Sequence, residues 1–263
     1  MAGHSVLTAT NIHLRFKEIS DLSISFNMKT TALYMLFAMS IVFSACNKSS
    51  NPYDTAMIVM VDETEPLPVY PTAQTLLAPF TLGENPWQGL QIKLVGITDK
   101  DINATETISL PKEDRLTGNI TIRLAKVQRF SNELQSRIAV FDSIRTFPHS
   151  IIFRSIATQA ASLANIPANS HYLLIYSNLI ENSEVNFYNP KTLSLLARNP
   201  TMVEKQLEAT APLPNLKGLQ LWLLYAPANY HQNNVYMPIA RFYESVYKAH
   251  HADVHIANQF TLP

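Results

Sequence analysis

From residue 56 onward, continuous apolar runs alternate along the chain with stretches of helical spacing. Ala56-Met-Ile-Val-Met-Val61 is apolar throughout and is closed by Asp62; Tyr172-Leu-Leu-Ile-Tyr176 and Leu219 to Tyr225 are built the same way. Runs of this length predict strands buried on both faces of a parallel sheet. Leu90-Gln-Ile-Lys-Leu-Val-Gly-Ile97, Thr105 to Leu110 and Asn119 to Leu124 alternate instead and predict half-buried strands, with Leu90 to Ile97 at a sheet edge. Val254 to Ala257 predicts a short last strand.

Helical spacing occupies the intervals. Pro71 is placed to open a helix bearing Leu76, Leu77 and Phe80, with Pro79 to end or kink it. A helix is predicted near 131–145, then a break at Phe147-Pro148, then a second helix to about Asn165 carrying Ile152, Ile156, Ala160 and Leu163. Residues 190–208 read as helix interrupted at Pro200, and Pro238 as the opening of a helix with Ile239, Phe242 and Val246 on one face. Strands alternating with helices predict an α/β fold over 56–263: doubly wound, with a largely parallel sheet flanked by helices.

The N-terminal region has a different pattern. Lys29 is followed by a 12-residue apolar run, Ala32 to Phe43, and then by Ser44-Ala45-Cys46. A run this short does not span a bilayer core of about 30 Å, which takes about 20 apolar residues, and it fits the apolar region of a signal peptide. Phe43-Ser44-Ala45-Cys46 resembles the bacterial lipobox: a large apolar residue, two small ones, then the cysteine that is acylated and becomes the new N-terminus. The resemblance implies a signal peptide over 28–45, a membrane anchor at Cys46 and a short polar tether over 46–55. Residues 1–27, with Arg15, Lys17, Glu18 and Asp21, are either upstream of a true start at Met28 or an extended n-region. Asn47 is not the aspartate associated with inner-membrane retention, which points to the outer membrane, and no acidic run follows Cys46 to direct export beyond the periplasmic face.

Composition then removes whole classes. The 20 Lys+Arg balance 20 Asp+Glu, which excludes a broadly basic nucleic-acid binder and an acidic disordered tail. A single cysteine excludes a disulfide scaffold and a multi-cysteine zinc site. No Gly-x-Ser-x-Gly elbow, Walker lysine or His-Glu-x-x-His motif is present. His250-His251-Ala-Asp-Val-His255 crosses a predicted helix end into a strand, so its side chains are expected to diverge.

In an open α/β sheet, ligands bind outside the carboxyl ends of the strands. The loops there begin Asp62-Glu63-Thr64-Glu65-Pro66, Ser177-Asn178-Leu179-Ile180-Glu181-Asn182-Ser183 and Ala226-Pro227-Ala228-Asn229. Asp62 and Thr64, with Ser150 before a helix and Ser177-Asn178 after the central strand, resemble the metal-ion-dependent adhesion site of von Willebrand factor type A-like domains. The stretch to Phe187-Tyr188 and the segment Phe242-Tyr243-Glu244 are similar to later parts of such domains. The resemblance implies Mg²⁺ held by Asp62, Thr64, Ser150, Ser177 and Asn178, with Glu63, Glu65, Glu181, Asn182 and Asn229 forming a partner-binding edge. The pattern is degenerate, because Pro66 replaces a hydroxyl and Asn178 an acid; both changes lower the affinity expected for Mg²⁺. The same residues also suit simple strand-to-helix turns.

These features lead to the expectation of a membrane-tethered bacterial lipoprotein that binds another envelope protein, without catalysis and without nucleic acid. A metal-assisted envelope hydrolase, and a metal-independent component of an envelope, secretion or conjugation assembly, are the alternatives.

Overall fold

A computed structural model of the chain describes residues 51–99, 105–141 and 147–262. Cys46, the signal segment and the first part of the tether lie outside the described residues.

Among the described residues six strands form one sheet: β1 (Tyr53–Asp62), β2 (Leu90–Ile97), β3 (Thr105–Leu110), β4 (Ala168–Tyr176), β5 (Leu219–Leu224) and β6 (Asp253–Ala257), in the order β3-β2-β1-β4-β5-β6. All neighbours run parallel except β3, which is antiparallel to β2. The doubly wound α/β expectation is met. The helices are α1 (Ala73–Leu77), α2 (Ile120–Phe141), α3 (Ile152–Ala164), α4 (Pro190–Arg198), α5 (Pro200–Glu208) and α6 (Tyr230–Ala249), with a 3₁₀ turn over Ala78–Phe80.

β1 shows why the sheet needs cover on both sides. Its alternate residues Ala56, Ile58 and Met60 belong to a core closed by α3, α5 and α6, while Met57, Val59 and Val61 belong to an opposite core closed by α1, α2 and Phe260. Side chains two apart share a face, so an unbroken apolar run feeds both layers.

Four elements depart from the sequence pattern. β2 is not an edge strand, because β3 pairs with it from Leu90↔Leu110 to Val95↔Thr105 and takes the edge. Residues 119–124 are not a strand: Asn119 Oδ1 accepts from the N–H groups of Thr121 (3.0 Å) and Ile122 (3.2 Å) and starts α2. The inward residue of that first turn is Arg123, fully buried, whose guanidinium donates to the carbonyls of Pro86 (2.5 Å), Gln88 (2.6 Å) and Pro111 (2.8 Å). Thr72 rather than Pro71 caps α1, its Oγ1 accepting from Thr75 N–H at 3.0 Å. Pro238 lies inside α6 rather than at its start, because Asn229 caps that helix by accepting from Gln232 N–H at 3.0 Å.

Among the described residues no helix is long and apolar enough to cross a membrane.

Candidate functional site

Parallel pairing of Val61 with Tyr176 brings Asp62 beside Ser177 at the carboxyl ends of the two central strands. Asp62 is 1% exposed, and both of its carboxylate oxygens accept hydrogen bonds. Its Oδ2 accepts from Ser177 Oγ at 2.6 Å, and its Oδ1 accepts from the Thr64 hydroxyl at 2.7 Å and the Thr64 N–H at 3.1 Å. Burial pushes the Asp62 carboxyl above the ordinary carboxylate range, opposed by those hydrogen bonds, and the nearby Glu65 charge pushes it the same way.

A second layer lies over this pair. Asn178 Nδ2 donates to Glu65 Oε2 at 2.8 Å, and the Tyr188 hydroxyl donates to Glu65 Oε1. Burial raises the Tyr188 phenol well above its usual value, with the Glu65 carboxylate adding to the shift. Asn178 Oδ1 accepts from Ile180 N–H at 2.9 Å, so both ends of the amide are used.

Ser150 joins from the loop before α3. Asn182 N–H donates to the Ser150 carbonyl at 2.9 Å, and Asn182 Nδ2 donates to the Pro148 carbonyl at 3.1 Å. Thr64, Glu65, Pro148, His149, Ser150, Asn182 and Tyr188 contribute to the wall of one polar cavity of about 240 Å³. Ser150 Oγ is buried and has no hydrogen-bond partner among the described residues. Three loops far apart in sequence thus meet at this cavity, and the loop 226–229 is not among those that line it.

The partner-binding edge comes out differently. Glu181 is 1% exposed: its Oε2 accepts from the N–H groups of Ile152 (3.1 Å) and Phe153 (2.8 Å) at the start of α3 and from the Tyr243 hydroxyl (3.2 Å). A short polar loop reads as exposed, but the open donors of a helix end draw this carboxylate inward. The Glu63 side chain lies against the Gly96 Cα on β2, where a Cβ would meet its Oε1. Asn229 spends its side-chain oxygen on capping α6. Of the five edge residues, Glu65 and Asn182 line the cavity.

His149 and Tyr188 also line the cavity, and nothing in the local sequence marks either as a site residue. Tyr188 followed an aromatic in a loop, and its link to Glu65 spans 123 positions, which local pattern does not show. His149 lay in a segment notable only as a helix break.

The donor set does not fit Mg²⁺. That ion takes six hard oxygens in near-octahedral array. Here both oxygens of Asp62 accept from protein donors, Ser177 Oγ also accepts from Leu179 N–H at 2.9 Å, and Asn178 turns an N–H toward Glu65. Pro66 supplies no side-chain ligand. Among the described residues no group of three or more His, Cys, Asp and Glu side chains could hold a metal. The C-terminal histidines diverge as expected: His250 meets Glu208 at 2.8 Å, whereas His255 meets Gln220 at 2.9 Å and stacks on Trp222.

No protein family and no curated protein matches the chain.

Proposed function

We propose that this chain is a bacterial envelope lipoprotein, anchored at Cys46 at the periplasmic face of the outer membrane. Its α/β domain, read as von Willebrand factor type A-like, binds another envelope protein at the carboxyl ends of the strands without a metal ion. The observation that carries this reading is the convergence of Thr64, Glu65, Ser150, Asn182 and Tyr188 around one polar cavity. The Cys46 motif supports the anchor. The hydrogen bonds that the protein makes to both Asp62 oxygens support metal independence, since a metal-linked partner contact needs a carboxylate or hydroxyl oxygen turned toward the ion. The same closure speaks against a hydrolase, as Asp62 and Glu65 are both held by donors of the protein itself.

A photo-cross-linker placed at Asn182 or His149 of the lipidated chain tests the reading in envelope membranes. A discrete protein adduct is expected at these positions, unchanged by EDTA and absent from a probe at Lys217, which lies before β5 at the opposite end of the sheet. Equal adducts at Lys217, or turnover of an envelope substrate abolished by Asp62→Ala, would overturn it.

A further inference from the structure

The amino end of the sheet carries an exposed apolar surface. Leu116 is 93% exposed, Ile120 48%, Ile122 55% and Leu124 43%. These residues crowd into the loop after β3 and the first turns of α2, where polar residues are expected on a solvated helix start. The platform beneath them is firmly held, because buried Arg123 ties together the carbonyls of Pro86, Gln88 and Pro111. Trp87 packs against the Gly118 backbone so closely that a Cβ there would fall 2.4 Å from its ring.

The place of the anchor says what covers this surface. Lys112 N–H donates to the Pro52 carbonyl at 2.9 Å, so the loop bearing Leu116 is bonded directly to the start of β1. Only five residues separate Pro52 from Cys46, and an extended chain over those six steps reaches about 20 Å at most. Charge agrees: apart from buried Arg123, residues 111–129 contain four lysines and arginines against two acids, Glu113 and Asp114, and Glu113 is paired with Arg123 and Lys126. Apolar side chains beside basic ones suit the headgroup region of an anionic bilayer.

We infer that Leu116, Ile120 and Leu124, the last two on one face of α2, dock on the phospholipid surface beside the Cys46 anchor, fixing the domain with its amino end down. The ten residues of β1 then hold the cavity of Asn182 and Tyr188 about 30 Å from the lipid, facing away from it. This inference rests on the lipoprotein reading proposed above.

Trp87 is a built-in reporter, since the other tryptophan, Trp222, is buried in the core. The acylated chain is placed in phosphatidylglycerol–phosphatidylethanolamine vesicles whose acyl chains carry bromine, beside a Leu116→Glu/Ile120→Glu/Leu124→Glu variant and Trp87→Phe. Docking predicts a blue-shifted, bromine-quenched component that is absent from Trp87→Phe and at least about tenfold weaker in the triple variant, although both stay vesicle-bound. An unquenched Trp87 in a vesicle-bound, acylated chain overturns the docking. So does a lipid-free dimer or a stable protein complex that accounts for the patch and leaves Trp87 unquenched. Mass spectrometry of Cys46 separates the two readings. If Cys46 carries no acyl group the anchor fails, and quenching on simple addition to vesicles still supports the docking surface, whereas its absence overturns that as well.

Discussion

Glu181 caps helix α3 from a loop 28 positions away in sequence, its Oε2 lying 2.8 Å from the Phe153 amide nitrogen. The same oxygen accepts from Ile152 and Tyr243, so one buried carboxylate joins the loop after β4, the start of α3 and the middle of α6. Replacing it by alanine leaves two helix-end N–H groups and a phenol buried without an acceptor. Glu181→Ala is expected to cost about 2–4 kcal/mol in urea unfolding, and Glu181→Gln, which keeps an acceptor oxygen, well under half of that.

Burial raises this carboxyl from 4.5 to about 7, against the opposing hydrogen bonds from Ser183, Phe153, Tyr243 and Ile152. The folded state therefore holds a proton that the unfolded state has released between those two values. The contribution of this group to stability is greatest below the unfolded value, falls as pH rises through this window, and levels off above about 7. The fall amounts to about 3 kcal/mol, and raised Asp62 adds to it with the same sign. Denaturant midpoints at pH 5 and pH 8 measure it, and Glu181→Gln should flatten most of the slope. An unchanged slope in that variant would assign the effect elsewhere.

Thermal unfolding distinguishes a structural from a metal-binding Asp62. A ligand present at 100 times its Kd adds about 2.7 kcal/mol, which is several degrees for a domain of this size. The melting temperature is expected to be the same in EDTA and in millimolar Mg²⁺. Asp62→Ala is expected to lose about 2–4 kcal/mol in both, because Ser177 and Thr64 donors are left without an acceptor in a buried place.

Arg123 is the side chain on which the amino-end platform depends. Arg123→Ala abandons three backbone carbonyls and the Glu113 carboxylate and is expected to cost about 3–5 kcal/mol. Arg123→Lys should recover little, since an ammonium group lacks the planar fork that reaches three acceptors in different directions. Equal stability of the lysine variant and the native chain would show that the fork is not needed.

Labelling in the bacterial cell with a fatty-acid analogue tests the anchor. Incorporation is expected in the native chain and none in Cys46→Ala, with the variant kept as the longer precursor on a denaturing gel.

The continuous runs of β1, β4 and β5 were legible without tertiary information, because a strand covered on both faces needs apolar residues at every position. So was the convergence at Asp62: in a parallel sheet the loops after β1 and β4 must emerge side by side, and Asp62 and Ser177 follow their strands directly. The start of α2 was not legible. Ile120-Thr-Ile-Arg-Leu124 alternates like a strand, and its inward residue is a charged one that becomes buried because three carbonyls and the Glu113 carboxylate from other segments surround it.

Pro238 misled in a similar way, since a proline suits a first helical turn, but the capping Asn229 lies nine positions earlier and the helix tolerates the missing N–H. Glu181 is the clearest division between the two levels. Its charge and its polar neighbours set its chemistry from sequence, and they placed it in a solvated loop. Which way it turned was decided by the unpaired N–H groups of α3, which exist in that position only once α3 has packed against the sheet. Hydrophobic spacing is a property of neighbours in the chain. The partner of a buried polar group belongs to another segment, and only the assembled fold brings it into reach.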